Sequence, residues 1–385
     1  MDSGAPDLPV DPLEILRQRR SAKWQTYPAD VLPLTVAEMD FALAAPVAAS
    51  LREAIERSDA GYALAVPDLG RAIAGFAASR WNWDIDPAAV TAVTDVGVGV
   101  VELLRVLTRP GDAVVISPPV YPPFFDWIPE ARARLLEVPL RRGSAGWTLD
   151  LGALEAAFAT HPAAYVLCNP HNPVGRAHTV GELAALARLA RLYRVTIISD
   201  EIHGPLVLPG ATFTPLLTLP GAAEIAVSVL SASKAWNLAG LKCAAVVTAS
   251  PGMAAVVDRF PADIQWRIGH FGVITAVAAF TAGEPWLDRL LATLDRRRAL
   301  LATLLRERLP MLSWHPPEAT YLAWLNCAAL GPDNKPRDRF LDHGRVALEP
   351  GLRFGAIGSG YARLNFATSS DILDQATTRM VQSAL

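Results

Sequence analysis

A chain of 385 residues exceeds one small domain and fits two or three by the usual length prior. Its hydrophobic share of 51% supplies a large core, while charged residues make up only 19%. The net charge of −3 leaves no basic footprint, which argues against a nucleic-acid partner.

Met1 to Asp11 is polar and Pro-rich and lacks the charged-then-apolar layout of a signal peptide. Residues 1–47 read as an N-terminal segment that packs on a small domain or on a partner subunit. Thr94–Val98 (TDVGV) leads into a helical stretch ending near Thr108. Amides at such a helix start bind phosphate, which singles out Gly97 and Val98. Ala113–Ser117 (AVVIS) reads as a strand, and Pro119–Phe124 then presents Tyr121 at the sheet edge. Its face can stack on a pyridine ring or simply plug the core.

Tyr165–Asn169 (YVLCN) is the next strand, followed by Asn169–Arg176 (NPHNPVGR). Two Asn-Pro pairs and a glycine fix a non-helical turn from which Asn172 can donate to a phenolic oxygen. Val180–Tyr193 carries Leu183, Leu186 and Leu189 or Ala190 on one face and reads as a helix. Val195–Asp200 (VTIISD) is a strand that ends on a carboxylate, where ligands of open α/β sheets gather. Asp200 can pair with a protonated pyridine nitrogen or cap a helix. His203, three residues on, can bond a ring hydroxyl, stack nearby or serve structure alone. A metal reading of Asp200, Glu201 and His203 lacks a second His cluster.

Ile225–Leu230 (IAVSVL) and Cys243–Thr248 (CAAVVT) are further strands that bracket Ser231-Ala232-Ser233-Lys234 and Leu238–Lys242. An amine at the mouth of a sheet, flanked by hydroxyls and a second cation, suits a phosphorylated aldehyde. Lys234 condenses with the aldehyde while Ser231, Ser233 and Lys242 meet the phosphate. Taken alone this is a surface lysine in a Ser-rich turn; its companions give it meaning.

Continuous rather than alternating hydrophobicity in these strands implies a sheet covered on both faces. Alternation with helices implies a largely parallel α/β arrangement. Phe271–Ala282 is too short to cross a bilayer and reads as a buried core helix. Beyond Pro285, leucines at helical spacing precede Tyr321–Asn326 (YLAWLN) and Ala362–Ala367 (ARLNFA), which suggests a smaller α+β domain. Within the last run Arg363 suits bidentate carboxylate recognition or a structural salt bridge. Cys168, Cys243 and Cys327 are widely spaced without any CxxC. This speaks against a metal or disulfide framework and for a reducing, cytoplasmic location.

Seven blocks in this order resemble the fold-type I pyridoxal-phosphate enzymes of the class I/II aminotransferase superfamily. They are AEMDF (37–41), GYALAVPDL (61–69), NPHNPVGR (169–176), SDEIHGPL (199–206), SASKAWNLAGLK (231–242), ATYLAWLN (319–326) and RLNFATS (363–369). SDEIH and NPHNP resemble in particular the cystathionine β-lyase branch, the MalY/PatB type of carbon–sulfur lyase. The resemblance implies a large cofactor domain over 48–284, with a mostly parallel seven-stranded sheet, and a small domain over 285–385. It implies that Lys234 binds the pyridoxal phosphate aldehyde, Asp200 pairs with the ring nitrogen, and Asn172 and His203 lie at the ring hydroxyl. Tyr121 stacks on the ring, and Ser231, Ser233, Lys242 and the Gly97–Val98 amides hold the phosphate. Arg363 takes the substrate carboxylate. Tyr62 reaches in from a second subunit, so that a homodimer is expected. The activity expected is β-elimination from L-cystathionine or another cysteine S-conjugate. An aminotransferase would use the same residues, and a non-catalytic binding protein on this fold is the third possibility.

Overall fold

The structure, a computed structural model, describes residues 6–63, 67–144, 146–331 and 335–384. Residues 1–5 of the N-terminal segment, residues 64–66 of the GYALAVPDL block, and residues 332–334 and 385 of the small domain lie outside them.

Seven strands form the central sheet: β1 (Val90–Val93), β2 (Ala113–Ile116), β3 (Arg134–Glu137), β4 (Ala164–Cys168), β5 (Thr196–Asp200), β6 (Ala226–Leu230) and β7 (Ala244–Val247). Their order is β1-β7-β6-β5-β4-β2-β3. Six run in one direction, and β7 alone is antiparallel, to both its neighbours β6 and β1. β4 and β6 are buried at every residue, as their unbroken apolar runs require. Val166, Ile198, Val227 and Val229 face one hydrophobic cluster, and Tyr165, Leu167, Ile197 and Leu230 face another. Burying each such side chain contributes about 1.5–3 kcal/mol. The edge strands β1 and β3 are the two that hydrophobicity alone misses. Their residues are mostly half-exposed, and β3 begins and ends on the exposed Arg134 and Glu137.

Helix α1 (Val96–Leu107) covers one face with Val96, Val100, Leu103 and Leu104, the spacing of a single helical stripe. Helix α2 (Val180–Tyr193) matches the leucine pattern and opens on a capping box between Thr179 and Glu182. It closes at Arg194, whose left-handed φ of 58° turns the chain into β5. Helix α3 (His270–Ala282) is the apolar run near Phe271, and helix α4 (Glu284–Arg308) carries the leucines after Pro285.

The C-terminal part adds an antiparallel sheet of β8 (Leu322–Asn326), β9 (Glu349–Pro350) and β10 (Tyr361–Asn365), in the order β8-β10-β9. The N-terminal segment closes against this part. Leu32–Pro33 pairs in parallel with Val346–Ala347, and Asp7 bridges Arg296 and Arg297 on α4. Among the described residues no helix is long and apolar enough to cross a membrane.

Candidate active site

The parallel strands β2, β4, β5 and β6 end on one edge of the sheet, and the loops beyond them enclose a cavity of about 270 Å³. Asp200, Asn172, His203, Tyr121, Ser233, Lys234, Lys242 and Gly97 all line it, although they come from five separate segments.

Part of the Lys234 side chain faces the cavity, while its amine is enclosed by protein and donates to the Ala37 carbonyl at 3.0 Å. Burial, and next the charge of Arg363, push this amine down to about 8; Glu38 and Asp200 pull the other way. Asp200 is 3% exposed and accepts from the Ile202 amide at 3.1 Å. Burial drives its carboxyl up to about 7, and that amide and Lys234 offset this only in part. It is a carboxylate without an adequate cation. The His203 ring is buried with Nδ1 unpartnered, and burial, then Lys234 and Arg363, push it down to about 3. The imidazole is therefore neutral.

Arg363 on β10 donates to Asn172 Oδ1 at 3.0 Å and to the Thr35 carbonyl at 3.0 Å. Its guanidinium lies 4.9 Å from the Phe354 ring centre, and Nε has no partner. The Asn172 loop contains cis peptides before Pro170 and Pro173, and His171 ties it to the Pro119 carbonyl at 2.9 Å. Gly175 has φ +68°, and a Cβ there would lie 2.3 Å from Pro317, so only glycine fits.

At the other end of the cavity Asp95 caps α1 by accepting the Val98 amide at 2.9 Å. Gly97 and Val98 are thus not equivalent. The Val98 amide is already bonded, whereas those of Val96 and Gly97 begin the helix without intrahelical acceptors. Asp95 also holds Lys242 at 3.0 Å. Ser231 donates to the Cys243 carbonyl at 2.7 Å and meets the Ser233 hydroxyl at 2.8 Å, so it orients Ser233. Tyr62 is 79% exposed, lies edge-on to Trp266, and does not line this chain's own cavity.

Three contributors were given no role at the site by the sequence. Trp127 lines the cavity 5.9 Å from Tyr121, ring centre to ring centre, and a Cβ on Gly97 would come within 2.9 Å of it. Its position one turn beyond Pro123, at the start of a short helix, is the signal that could have found it. Cys168, the last residue of β4, lines the floor with its thiol pushed well up by burial. The third is the strap from Thr35 to Asp40. All six of its carbonyls accept side-chain donors, from Arg363, Asn365, Lys234 with Tyr321, Lys23, Asn237 and Arg19.

The donor set fits pyridoxal phosphate. The site offers an amine of lowered basicity, a buried carboxylate in want of a cation and a buried ring nitrogen without a partner. It also has a helix start with open amides beside a hydroxyl and a lysine. Among the described residues no His, Cys, Asp and Glu group could hold a metal ion.

Comparison with known proteins agrees in scale. The family described as aminotransferase class I and II matches residues 29–380. A Mycobacterium leprae protein, provisionally named a cystathionine beta-lyase, is 46% identical over 96% of each chain. Cystathionine beta-lyase PatB of Bacillus subtilis is 32% identical, over 92% of this chain and 93% of its own. Among solved structures, a protein of Corynebacterium diphtheriae provisionally described as a PLP-dependent beta-cystathionase superposes with a TM-score of 0.93 at 31% identity. The match covers 98% of this chain and 99% of that one.

Proposed function

The chain belongs to the class I and II aminotransferase family, and from that premise we propose that it is a pyridoxal-phosphate-dependent carbon–sulfur β-lyase. Its substrate is L-cystathionine or a related cysteine S-conjugate, which water and elimination convert to a thiol, pyruvate and ammonia. The observation that carries this reading is full-length likeness to cystathionine beta-lyases at 32–46% identity. The cavity chemistry would serve an aminotransferase equally well.

When bound, pyridoxal phosphate supplies an electron sink for the pair of electrons left at Cα. Lys234 would hold its aldehyde end, and Asp200 its ring nitrogen. An opposite charge close by typically shifts a pKa by about 1–3 units. Asn172 and His203 would flank the ring hydroxyl, and Tyr121 the ring face. Ser233, Lys242 and the amides opening α1, with Ser231 and Val98 in support, would hold the phosphate. Arg363 would grip the substrate carboxylate in a bidentate pair. Once the substrate's own amine has taken its place at the aldehyde, the freed Lys234 amine would accept the Cα proton and give it to the departing sulfur, a task suited to a group whose pKa lies near 8. Tyr62, exposed here, would complete the site of a second copy, making the working unit a cytoplasmic homodimer.

The test mixes cofactor-loaded protein with L-cystathionine, without any oxo acid, and follows pyruvate and free thiol together. Equal yields of both are expected, falling by about 10²–10⁴-fold or more in Lys234→Ala. Amino transfer that requires a 2-oxo acid, with no thiol released, would replace the lyase reading by the aminotransferase one.

A further inference from the structure

We infer that Tyr321 is a positioning residue whose hydroxyl shares the Ala37 carbonyl with the Lys234 amine, and so sets where that amine rests when free and how loosely it keeps its proton. The inference rests on the reading of Lys234 as the cofactor lysine, and holds whichever bond of the substrate is then cleaved.

One oxygen here accepts two donors. The Tyr321 hydroxyl donates to the Ala37 carbonyl at 2.9 Å and the Lys234 amine donates to it at 3.0 Å, from 284 and 197 residues away. Ala37 and Lys234 line the cavity, whereas Tyr321 is fully buried and does not, so it reaches the chemistry only through this carbonyl. Burial pushes the Tyr321 hydroxyl well up, so it keeps its proton and is always the donor.

Neither side of this contact can drift. The Val36 and Glu38 carbonyls, before and after Ala37, both accept from Asn365 at 2.7 Å. The backbone carbonyl of Tyr321 accepts the Phe366 amide at 2.9 Å. Thr320, just before it, is buried and stands at φ 73°, a left-handed conformation in which a β-branched residue is an outlier. Such strain persists only where the surroundings enforce it, and it gathers at working sites. Here it lies at the turn that leads into β8 and brings the Tyr321 hydroxyl onto the strap. An oxygen already engaged by a hydroxyl holds an ammonium less firmly than a free one would, which favours the neutral amine. That is the form that attacks an aldehyde and accepts a proton. The other charged and titratable groups around the amine are Arg363 on β10, Glu38 on the strap, Asp200 and His203 at the end of β5, Lys242, and Tyr121 across the cavity. All are kept in the variants below.

Reductive methylation of the cofactor-free chain by formaldehyde and cyanoborohydride, followed on the Lys234 peptide by mass spectrometry across pH, gives the midpoint at which this amine becomes reactive. The midpoint should lie near 8 in the wild type and rise by about 0.5–1 unit in Tyr321→Phe, the size of one altered hydrogen bond. Tyr165→Phe is the matched control. It also removes a buried hydroxyl, one that meets Ser117 at 3.0 Å, and should lower Tm comparably while leaving the midpoint in place. In the holoenzyme Tyr321→Phe should lower kcat by about 3–10-fold below the midpoint, the same shift read as a rate, with KM little changed. The resting cofactor absorption should stay as in the wild type, because Lys234 is then joined to the cofactor. A midpoint unmoved in Tyr321→Phe, or moved equally in Tyr165→Phe, would overturn the inference. If the Lys234→Ala holoenzyme keeps its activity, the reading of Lys234 as the cofactor lysine fails, and the labelling midpoints still decide whether Tyr321 governs the amine.

Discussion

Lys23 and Lys234 reach the same strap from different parts of the chain, and the protein treats them in opposite ways. Lys23 is 1% exposed and meets Asp40 at 2.7 Å, while the other Asp40 oxygen accepts from Trp24 at 2.9 Å. Among the described residues Lys234 has no carboxylate in contact and bonds only the neutral Ala37 carbonyl. A buried charge with a full complement serves the fold, whereas an amine denied its counter-ion is held ready to give up its proton. Comparing the two separates structural from chemical lysines without any reference to sequence likeness.

The comparison breaks most visibly at Asp40. Asp40→Ala leaves the Lys23 charge buried and alone, and should lower unfolding free energy by about 3–5 kcal/mol in denaturant titrations. Replacing both partners, Lys23→Met with Asp40→Leu, should recover most of that loss. If the double variant is as unstable as the single one, the pair does more than balance charge.

The second expectation concerns Lys234 in the cofactor-free protein. Its folded pKa of about 8 lies below the ordinary 10.5, so below pH 8 the fold carries a penalty of at most roughly 3 kcal/mol, less whatever cavity water screens. Between pH 8 and 10.5 the folded state has shed this proton while the unfolded state retains it, so stability rises with pH. Lys234→Met lacks the effect. Its stability advantage over wild type should therefore shrink across that window, and a pH-independent gap would show that the amine is not held as described.

The smallest effect expected is at Gly97. Alanine within a helix is ordinarily stabilising by about 0.5–1 kcal/mol over glycine. Here the added methyl would meet the Trp127 ring at 2.9 Å, so Gly97→Ala should instead destabilise by about 1–3 kcal/mol and weaken cofactor binding. Thermal unfolding with and without pyridoxal phosphate measures both.

Much of this was legible in the sequence, for identifiable reasons. β2, β4, β5, β6 and β7 are short apolar runs in the interior of the sheet, and β4, β5 and β6 lie between strands that themselves read as strands. Asp200, Lys234 and Asn172 stood out because strand ends and punctuated turns are visible as residue types. The strap was not legible in the same way. AEMDF marks its place, but a carbonyl that accepts a hydrogen bond has no letter of its own, and the donors come from residues far along the chain. Trp127 went unseen because an aromatic residue in a short helix usually serves the core. The opened pair of amides at α1 also depended on geometry, since only the Asp95 cap decides that Val98 is bonded and Gly97 is not.

The bond from Lys234 to Ala37 spans 197 residues, and the strap that offers this carbonyl is held in turn by Tyr321 and Asn365 near the C-terminus. The reactive amine is therefore among the last features that synthesis completes. A chain still emerging from the ribosome has made Lys234 but not the donors that close the strap over it. Until they arrive the lysine stays in water, where its ordinary pKa of about 10.4 keeps most of it protonated and only a small fraction nucleophilic.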